Sequence, residues 1–441
     1  MNVSWIDPVE LVEHELRQLE EEGKDVSLHR VRWTKEKEGG TPALHLAKAF
    51  MEQLALLSGN PRENAEPSTL NEIVALCPSA PRDVGHVAKD ILPDRIAGGW
   101  FGRAAGCLLG KPVEKIPRGG IREIPFSNSS WPLAGYFTEK GVPREILEKY
   151  PWNRHYGRES LGENILCMPE DDDMNYPMLN LSVLETAGMA FSTEEIAQAW
   201  LGMLPVLSTF TAERVAYLNC LQGLTPPETA TTRNPYREWI GAQIRGDVFG
   251  WVSAGRPLAA AELAYRDARL SHVGNGMYGE MFVSAMIAAA CVVGTPLEAV
   301  EAALACVPVG SRLADAIRFS LALPKTEPAW ERAVDRLYER FGRYHWVHSI
   351  NNTSLIVAAL LYSDGDFEKA ICNVVMGGWD TDSNGATVGS VMGTILGANR
   401  LPGRWIAPLH NRIRSSLKDF DNSAITQLAD RTVKVHDALQ K

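Results

Sequence analysis

Two short acidic runs contain the residues of this chain that are best suited to catalysis or metal binding. Residues 170–173 read Glu-Asp-Asp-Asp, and residues 380–383 read Asp-Thr-Asp-Ser. Each run stands just before an apolar stretch that we expect to form a helix. Neighbouring side chains within a helix point about 100° apart, but at a helix start the backbone is freer and they can converge. Oxygen ligands of this kind suit hard divalent cations such as magnesium.

Each run also has simpler interpretations. Acidic residues before a helix can cap it and interact favourably with the helix dipole. The second run, with Asn384 and Gly385, resembles the opening of an EF-hand loop, but that loop needs a glutamate at its twelfth position. Val391 stands at that position, so the EF-hand interpretation fails. No suitably spaced set of histidines or cysteines accompanies the runs, which argues against zinc.

A glycine pattern at residues 274–279 matches the Gly-x-Gly-x-x-Gly signature of dinucleotide-binding sites. That signature is informative only when a strand precedes it. The preceding residues 261–270 have the pattern of a helix, so we reject a dinucleotide site. We expect a tight loop that leads into a helix from Glu280 and that could approach a ligand through Asn275 and Tyr278.

Composition and charge restrict the class of protein. The chain has 441 residues, of which 45% are hydrophobic, and its formal net charge is -10. An acidic protein is poorly suited to non-specific binding of nucleic acid. The seven cysteines are scattered and form no Cys-x-x-Cys pair, which is typical of reduced thiols in a cytoplasmic protein. We find no signal peptide and no apolar run of membrane-spanning length, so we expect no membrane association.

Hydrophobic periodicity predicts an all-α protein. Asp7 is expected to cap a first helix, an amphipathic run at 42–58 to end at Gly59, and weak alternation at residues 26–33 to mark one short strand. Capping boxes are expected at Thr69 with Glu72 and at Ser192 with Glu195.

A change of composition near residue 92 suggests a domain boundary. We therefore predict a helical amino-terminal extension over residues 1–90 and a catalytic domain over residues 91–441. Within the latter, residues 117–168 are rich in proline, glycine and aromatic residues and predict a long ordered loop.

Four motifs occur in order along the predicted catalytic domain. Small residues at 102–110 lead to Glu114, and the acidic run at 170–173 follows. Gly-Asn-Gly comes next at 274–276, and Gly-Gly-Trp-Asp-Thr-Asp-Ser at 377–383 opens a second small-residue helix. This ordered set resembles the ADP-ribosylglycohydrolase family. The resemblance implies a hydrolase of N- or O-ribosyl bonds with a compact all-α bundle fold, in which a central cleft holds two magnesium ions, with manganese as an alternative.

The resemblance also implies roles for particular residues. Glu114 falls where the family has a mobile acidic residue, and either it or Asp172 would activate water or protonate the leaving group. The implied metal ligands are Glu170, Asp171, Asp172, Asp380, Asp382 and Ser383. The candidate substrate contacts are Asn275, Tyr278, Asn352 and Trp379, of which the tryptophan could stack on an aromatic base.

The chain departs from the family pattern in three places. Glu170 and Asp173 stand where the common motif has threonines, Trp379 is inserted in the last motif, and the Met-Arg that often follows Gly-Asn-Gly is missing. These changes make a less charged ribosyl compound a rival to a substrate with a pyrophosphate. Three hypotheses remain: a hydrolase of ADP-ribosyl groups on proteins or small molecules, a hydrolase of nucleosides or other small N-ribosides, and a non-catalytic protein that binds a ribosyl ligand. The oligomeric state stays open.

Overall fold

A computed structural model describes residues 4–57, 61–77 and 81–438 of the chain. These residues form 22 α-helices and one two-stranded antiparallel sheet. The first half of the helices is α1 (Pro8–Glu21), α2 (Ser27–Glu38), α3 (Leu44–Ala55), α4 (Leu70–Ala75), α5 (Leu92–Gly110), α6 (Arg118–Ser127), α7 (Arg144–Lys149), α8 (Asp172–Ala187), α9 (Thr193–Met203), α10 (Thr211–Leu221) and α11 (Glu228–Thr231). The second half is α12 (Asp247–Val252), α13 (Pro257–Ala268), α14 (Gly274–Ala290), α15 (Pro296–Leu304), α16 (Arg312–Thr326), α17 (Trp330–Phe341), α18 (Ser349–Leu361), α19 (Phe367–Gly377), α20 (Thr381–Leu396), α21 (Gly403–Ile406) and α22 (Ile425–Ala438). The all-α prediction is confirmed.

The centre of the molecule is a pair of antiparallel helices, α5 and α20, that touch along their glycines. A Cβ atom added to Gly102 would lie 2.1 Å from the carbonyl oxygen of Gly389, and one added to Gly389 would lie 2.0 Å from that of Gly102. Gly98 meets Gly393 in the same way, which repeats the contact one turn along. Because neither helix has side chains at these positions, the two backbones approach more closely than ordinary helices do.

The predicted strand at residues 26–33 is wrong, because this segment lies in and beside helix α2. The ring of Trp33 packs against Phe50 of α3 at 5.1 Å, and its Nε1 donates to Glu13 of α1 at 2.8 Å. These tertiary contacts favour a helix over the weak alternation. The strands of the described residues are instead β1 (Arg412–Ile413) and β2 (Ser423–Ala424).

The predicted helix starts have mixed outcomes. Asp7 caps α1, and Ser192 with Glu195 forms the expected capping box of α9. The box predicted at Thr69 and Glu72 is wrong, because the hydroxyl donates to the carboxylate and makes no cap bond to the backbone of α4. The run at 42–58 forms α3, but the predicted stop at Gly59 lies outside the described residues.

Two segments that were expected to be loops contain helix. The stretch at 117–168 includes α6 and α7 and is therefore less irregular than predicted. The Gly-Asn-Gly motif is the first turn of α14 rather than a loop before Glu280. Gly274 has a positive φ of 49°, so the turn that enters this helix uses the conformational freedom of glycine.

The first helix is bonded to the rest of the protein through buried polar contacts. Arg237 donates to Glu15 at 2.8 Å, Gln18 donates to Glu238 at 2.9 Å, and the backbone N–H of His345 donates to Glu21 at 2.7 Å. The division into an extension and a catalytic domain stays a prediction. Among the described residues, no helix combines the length and apolar character needed to cross a membrane.

Candidate functional site

The contact between α5 and α20 positions the ends of both helices next to each other. Gly110 is the last residue of α5, and its carbonyl oxygen accepts a hydrogen bond from Thr381 Oγ1, in the first turn of α20, at 2.8 Å. A short 3-10 turn, Lys111–Val113, then leads to Glu114. The glycine contact therefore places Glu114 beside Asp382, although these residues are far apart in the sequence.

The first acidic run lies at the start of α8, where its carboxylates turn in different directions. Asp171 is the N-cap, and its Oδ1 accepts from the backbone N–H of Asp173 at 2.9 Å. The other oxygen of Asp171 forms a buried ion pair with Lys111. Glu170 accepts from Asn175 and from Ser416, each at 2.9 Å. Asp171 therefore caps α8, as the simpler interpretation predicts, but the other carboxylate oxygens of this run take no part in capping.

The second acidic run opens α20 and meets the first run directly. Ser383 Oγ donates to Asp173 Oδ2 at 3.1 Å, which joins the two motifs by a side-chain hydrogen bond. The backbone N–H of Ser383 donates to Asp382 Oδ1 at 3.0 Å. Asp380 and Asp382 are only 5% and 7% exposed, yet both line the same cleft as the first run.

Two groups of side chains in this cleft are compact enough to surround an ion. Ligand atoms of Cys107, Asp171 and Asp173 lie within 4.8 Å of one another, as do those of Glu114, Asp380 and Asp382. We call them the cysteine cluster and the carboxylate cluster. The carboxylate cluster has the oxygen donors that magnesium and manganese prefer. Burial raises the pKa of the Cys107 thiol well above its usual value, and a neutral thiol is a poor ligand for a hard cation.

The cleft holds its acidic groups at a high electrostatic cost. Burial, followed by repulsion from Glu114 and Asp171, raises the pKa of Asp382 to about 7. Burial and then repulsion from Asp382 raise the pKa of Asp380 well above its usual value. Asp172 has a raised pKa because of burial and then the Asp171 charge. Carboxyl groups in this arrangement either keep a proton or need a cation beside them.

Aromatic residues form another part of the cleft wall, and one of them comes from the amino-terminal segment. Trp239 stacks on His345 with ring centres 4.1 Å apart and planes 9° apart. Trp5 packs edge-on to Trp239 at 6.4 Å. Phe210 and Trp346 also line the cleft. A flat apolar group could bind here next to the acidic groups.

Most of the predicted site residues come together in the cleft. Its lining includes Glu114, Glu170, Asp171, Asp172, Asp380, Asp382 and Ser383. Asn352 lies beneath the lining, where its Oδ1 accepts from the Asp380 N–H at 3.2 Å and from Asn384 at 2.7 Å. It therefore supports the second acidic run instead of facing the cleft.

The structure does not bring the other three candidate substrate contacts to the cleft. Asn275 donates to Glu238 at 2.7 Å, and the hydroxyl of Tyr278 donates to the carbonyl oxygen of Pro67. Trp379 stacks on Tyr338 at 4.4 Å. All three are buried among protein partners, and nothing in this geometry supports their predicted contact with substrate.

Sequence reasoning missed other residues of the cleft. Lys111 and Trp5 both line the cleft, and both lie outside the four motifs. Glu213 lies at the start of α10, and burial raises its pKa to about 7 although the nearby Arg245 charge opposes this rise. The sequence offers no signal for Glu213, because only the fold brings α10 to the acidic runs.

A comparison with models of protein families agrees with the motifs. A family model described as ADP-ribosylglycohydrolase matches residues 88–440. A solved structure described as an ADP-ribosylglycohydrolase-related protein complex is similar over 79% of this chain and 99% of that chain, with 19% identity and a TM-score of 0.47. A comparison with curated protein sequences gives no match.

Proposed function

Because the chain belongs to the ADP-ribosylglycohydrolase family, whose members are glycosyl hydrolases, we propose that it cleaves the bond at the anomeric carbon of a ribosyl group in a metal-dependent reaction. The observation that carries this proposal is the convergence of the two acidic runs in one cleft, joined by the Ser383–Asp173 hydrogen bond. Bringing buried carboxylates together from distant segments costs free energy. Such an arrangement is typical of a functional site.

We propose magnesium as the cofactor, with manganese as the alternative. The family is metal-dependent, and the carboxylate cluster of Glu114, Asp380 and Asp382 would hold the ion. Its three acidic side chains fit a hard divalent cation, because their mutual repulsion would be relieved by the ion's charge. When bound, such an ion orients sugar hydroxyls and stabilises charge that develops at the reacting centre.

Two carboxyl groups are proposed to handle protons. Burial and then the Asp171 charge raise the pKa of Asp172 well above its usual value, which favours the protonated form and suits a group that donates a proton to a leaving group. Glu114 is held by a hydrogen bond from Asn153 Nδ2 and by the Lys115 ammonium 3.3 Å away. These contacts fix the carboxylate beside Asp380 and Asp382, where it is positioned to accept a proton from water.

The charge of the cleft favours a neutral N-riboside, such as a nucleoside, over an ADP-ribosyl group. The only lysines that line it among the described residues are Lys111 and Lys115, and both already contact carboxylates. No arginine lines the cleft in the described part of the chain. A pyrophosphate is usually bound by such cations, whereas the aromatic wall suits a base.

A metal-depletion assay tests the proposed reaction. The protein is treated with EDTA and assayed with and without magnesium or manganese on ADP-ribosylated protein, ADP-ribose conjugates and nucleosides. We expect hydrolysis only with metal, and faster with nucleosides. Undiminished hydrolysis after complete removal of metal would contradict the proposal. Ligand binding without any product would indicate a non-catalytic protein.

Substitution of one cluster residue tests the site. We expect Asp382→Asn to lower kcat/KM at least about 100-fold, because loss of one anionic ligand removes several kcal/mol of stabilisation. The matched control is Asp430→Asn, which changes an exposed carboxylate on α22 and should leave kcat/KM unchanged. Equal activity of both variants would exclude Asp382 from the site.

A further inference from the structure

The cysteine cluster already contains a protein cation, Lys111, bound to Asp171, which the family resemblance implies to be a metal ligand. We infer that the ammonium of Lys111 takes the place of one of the two ions, so that the cleft binds a single divalent cation at the carboxylate cluster. This inference rests on the proposed function and concerns how many ions that function uses.

Lys111 is fixed at this position by the central helix pair. Its Nζ forms an ion pair with Asp171 Oδ2, and the two side chains are 5% and 2% exposed. The preceding residue, Gly110, packs against the backbone of Thr381, where an added Cβ would lie 2.1 Å from the carbonyl oxygen. The backbone that carries Lys111 therefore has no space in which to shift toward α20.

The remaining oxygens of the cysteine cluster also have protein donors. Asp171 Oδ1 accepts from the Asp173 N–H at 2.9 Å, and Asp173 Oδ1 accepts from Arg103 Nη2 at 3.1 Å. Asp173 Oδ2 accepts from Ser383 Oγ at 3.1 Å. Lys111 and Arg103 thus supply positive charge to both carboxylates of this cluster. Arg103 also pairs with Asp247, but each carboxylate oxygen of Asp171 and Asp173 already has a protein donor, so an added divalent ion would have to displace one of them.

The carboxylate cluster has fewer protein cations and donors around its carboxyl groups than the cysteine cluster has. Glu114, Asp380 and Asp382 bring three carboxyl groups together, and Lys115, whose side chain is 53% exposed, forms an ion pair with Glu114. The carboxyl groups of Asp380 and Asp382 share a side-chain hydrogen bond. When all three carboxyl groups are ionised, a divalent ion between them would relieve a repulsion that the exposed Lys115 ammonium does not offset alone.

The number of bound ions tests this inference directly. Metal-free full-length protein is titrated with Mn²⁺ by calorimetry, the bound metal is counted by elemental analysis, and the electron paramagnetic resonance spectrum is recorded. We expect one ion per chain and the spectrum of an isolated Mn²⁺. Two ions with a spin-coupled spectrum, as expected for a pair roughly 4 Å apart, would overturn the inference.

Substitution of the lysine tests its role. Lys111→Met removes the ammonium while keeping most of the side-chain volume, and we expect this variant to bind two ions per chain. Lys149→Met is the control, because it removes a surface lysine that bonds Glu123 and should still bind one ion. A folded Lys111→Met that binds one ion would overturn the inference.

Folding of Lys111→Met is checked by thermal unfolding in Mn²⁺. If this variant does not fold, the number of ions bound by the unsubstituted protein decides whether the inference holds. Failure of the proposed function gives a different result. If the proposed metal-dependent reaction is wrong, the protein binds no ion and hydrolysis is undiminished after removal of metal. That result would also remove the basis of the inference.

Discussion

Arg103 connects the first acidic run to the segment that carries Ile244 and Asp247, and it has no exposed surface. Its guanidinium donates to the Asp173 carbonyl oxygen at 2.9 and 2.7 Å and to Asp247 Oδ2 at 2.9 Å. A further bond reaches the carbonyl oxygen of Ile244 at 2.5 Å. The planar guanidinium can satisfy these acceptors together, which a lysine could not do.

Replacement of this arginine should destabilise the protein strongly. Arg103→Met would leave the buried carboxylates of Asp173 and Asp247 without their partner, and loss of one member of such a pair costs about 3–5 kcal/mol. We expect a decrease of that size in the free energy of unfolding, measured with urea. Arg144→Met, which removes an arginine that is 90% exposed, is the control and should change stability by less than about 1 kcal/mol.

At this scale the sequence predicted the acidic groups of the cleft but not their partners. Asp171, Asp172, Asp380 and Asp382 stand out because carboxylates adjacent in sequence are unusual. Asn275 and Tyr278 were proposed on the same kind of pattern, yet each has a buried protein partner. A motif gives residue type and spacing, whereas the direction of a side chain is decided by tertiary contacts.

At the scale of helices, the glycine contact between α5 and α20 explains why both carry so many small residues. The sequence indicated small-residue helices, and the structure adds that they pack against each other. The sequence could not indicate that α2 is a helix, because the hydrophobic period of this short polar segment is weak. Its helical form depends on the packing of Trp33 against α1 and α3.

A methyl group in this contact should disturb the site from a distance. Gly102→Ala would place a Cβ 2.1 Å from a backbone carbonyl oxygen, and we expect it to cost about 3 kcal/mol of stability and to lower hydrolysis. Gly202→Ala on α9 is the control, because nothing lies within 4 Å of its added Cβ. This control should be neutral or stabilising by up to about 1 kcal/mol. A fully stable, active Gly102→Ala would show that the contact is looser than described.

The amino-terminal segment should contribute to substrate binding through Trp5. Stacking of a base on an aromatic side chain contributes about 1–3 kcal/mol, so we expect Trp5→Ala to raise KM roughly 10-fold with little change in kcat. Trp5→Phe should recover most of this loss. Trp330→Ala, which removes a ring that contacts Tyr362 outside the cleft, is the control. A decrease confined to kcat would contradict a binding role.

For the molecule as a whole, half-buried neutral histidines should make stability depend on pH. Burial, with the Arg17 charge as the next cause, lowers the pKa of His345 to about 2 and that of His14 to about 4. Both values lie below the ordinary value of about 6.5 in the unfolded chain. The unfolded chain therefore takes up protons first, so the stability these histidines provide is present above pH 6.5 and is lost as the pH falls below it.

The size of this effect can be isolated with a residue that cannot titrate. His345→Phe keeps a flat ring against Trp239. As the pH falls from 7 to 5, we expect the free energy of unfolding of this variant to rise progressively relative to that of the unsubstituted protein. Urea unfolding at both pH values, in saturating magnesium, measures this difference. His86→Phe changes a side chain that is 88% exposed and should show no such trend. A difference for His345→Phe that stays constant with pH would contradict the assignment.

The interlocked glycines of α5 and α20 also restrict how the cleft can move. The contacting glycines recur every fourth residue. The two helices could therefore reach the next equivalent packing register only by sliding about 6 Å along each other. Smaller displacements would drive one backbone into the other. The end of α5 and the start of α20 are therefore held at a fixed spacing, and movement of Glu114 relative to Asp382 would have to arise in the turn at Lys111–Val113. Any opening or closing around a substrate has to come from segments outside this pair, such as the one that carries Trp5.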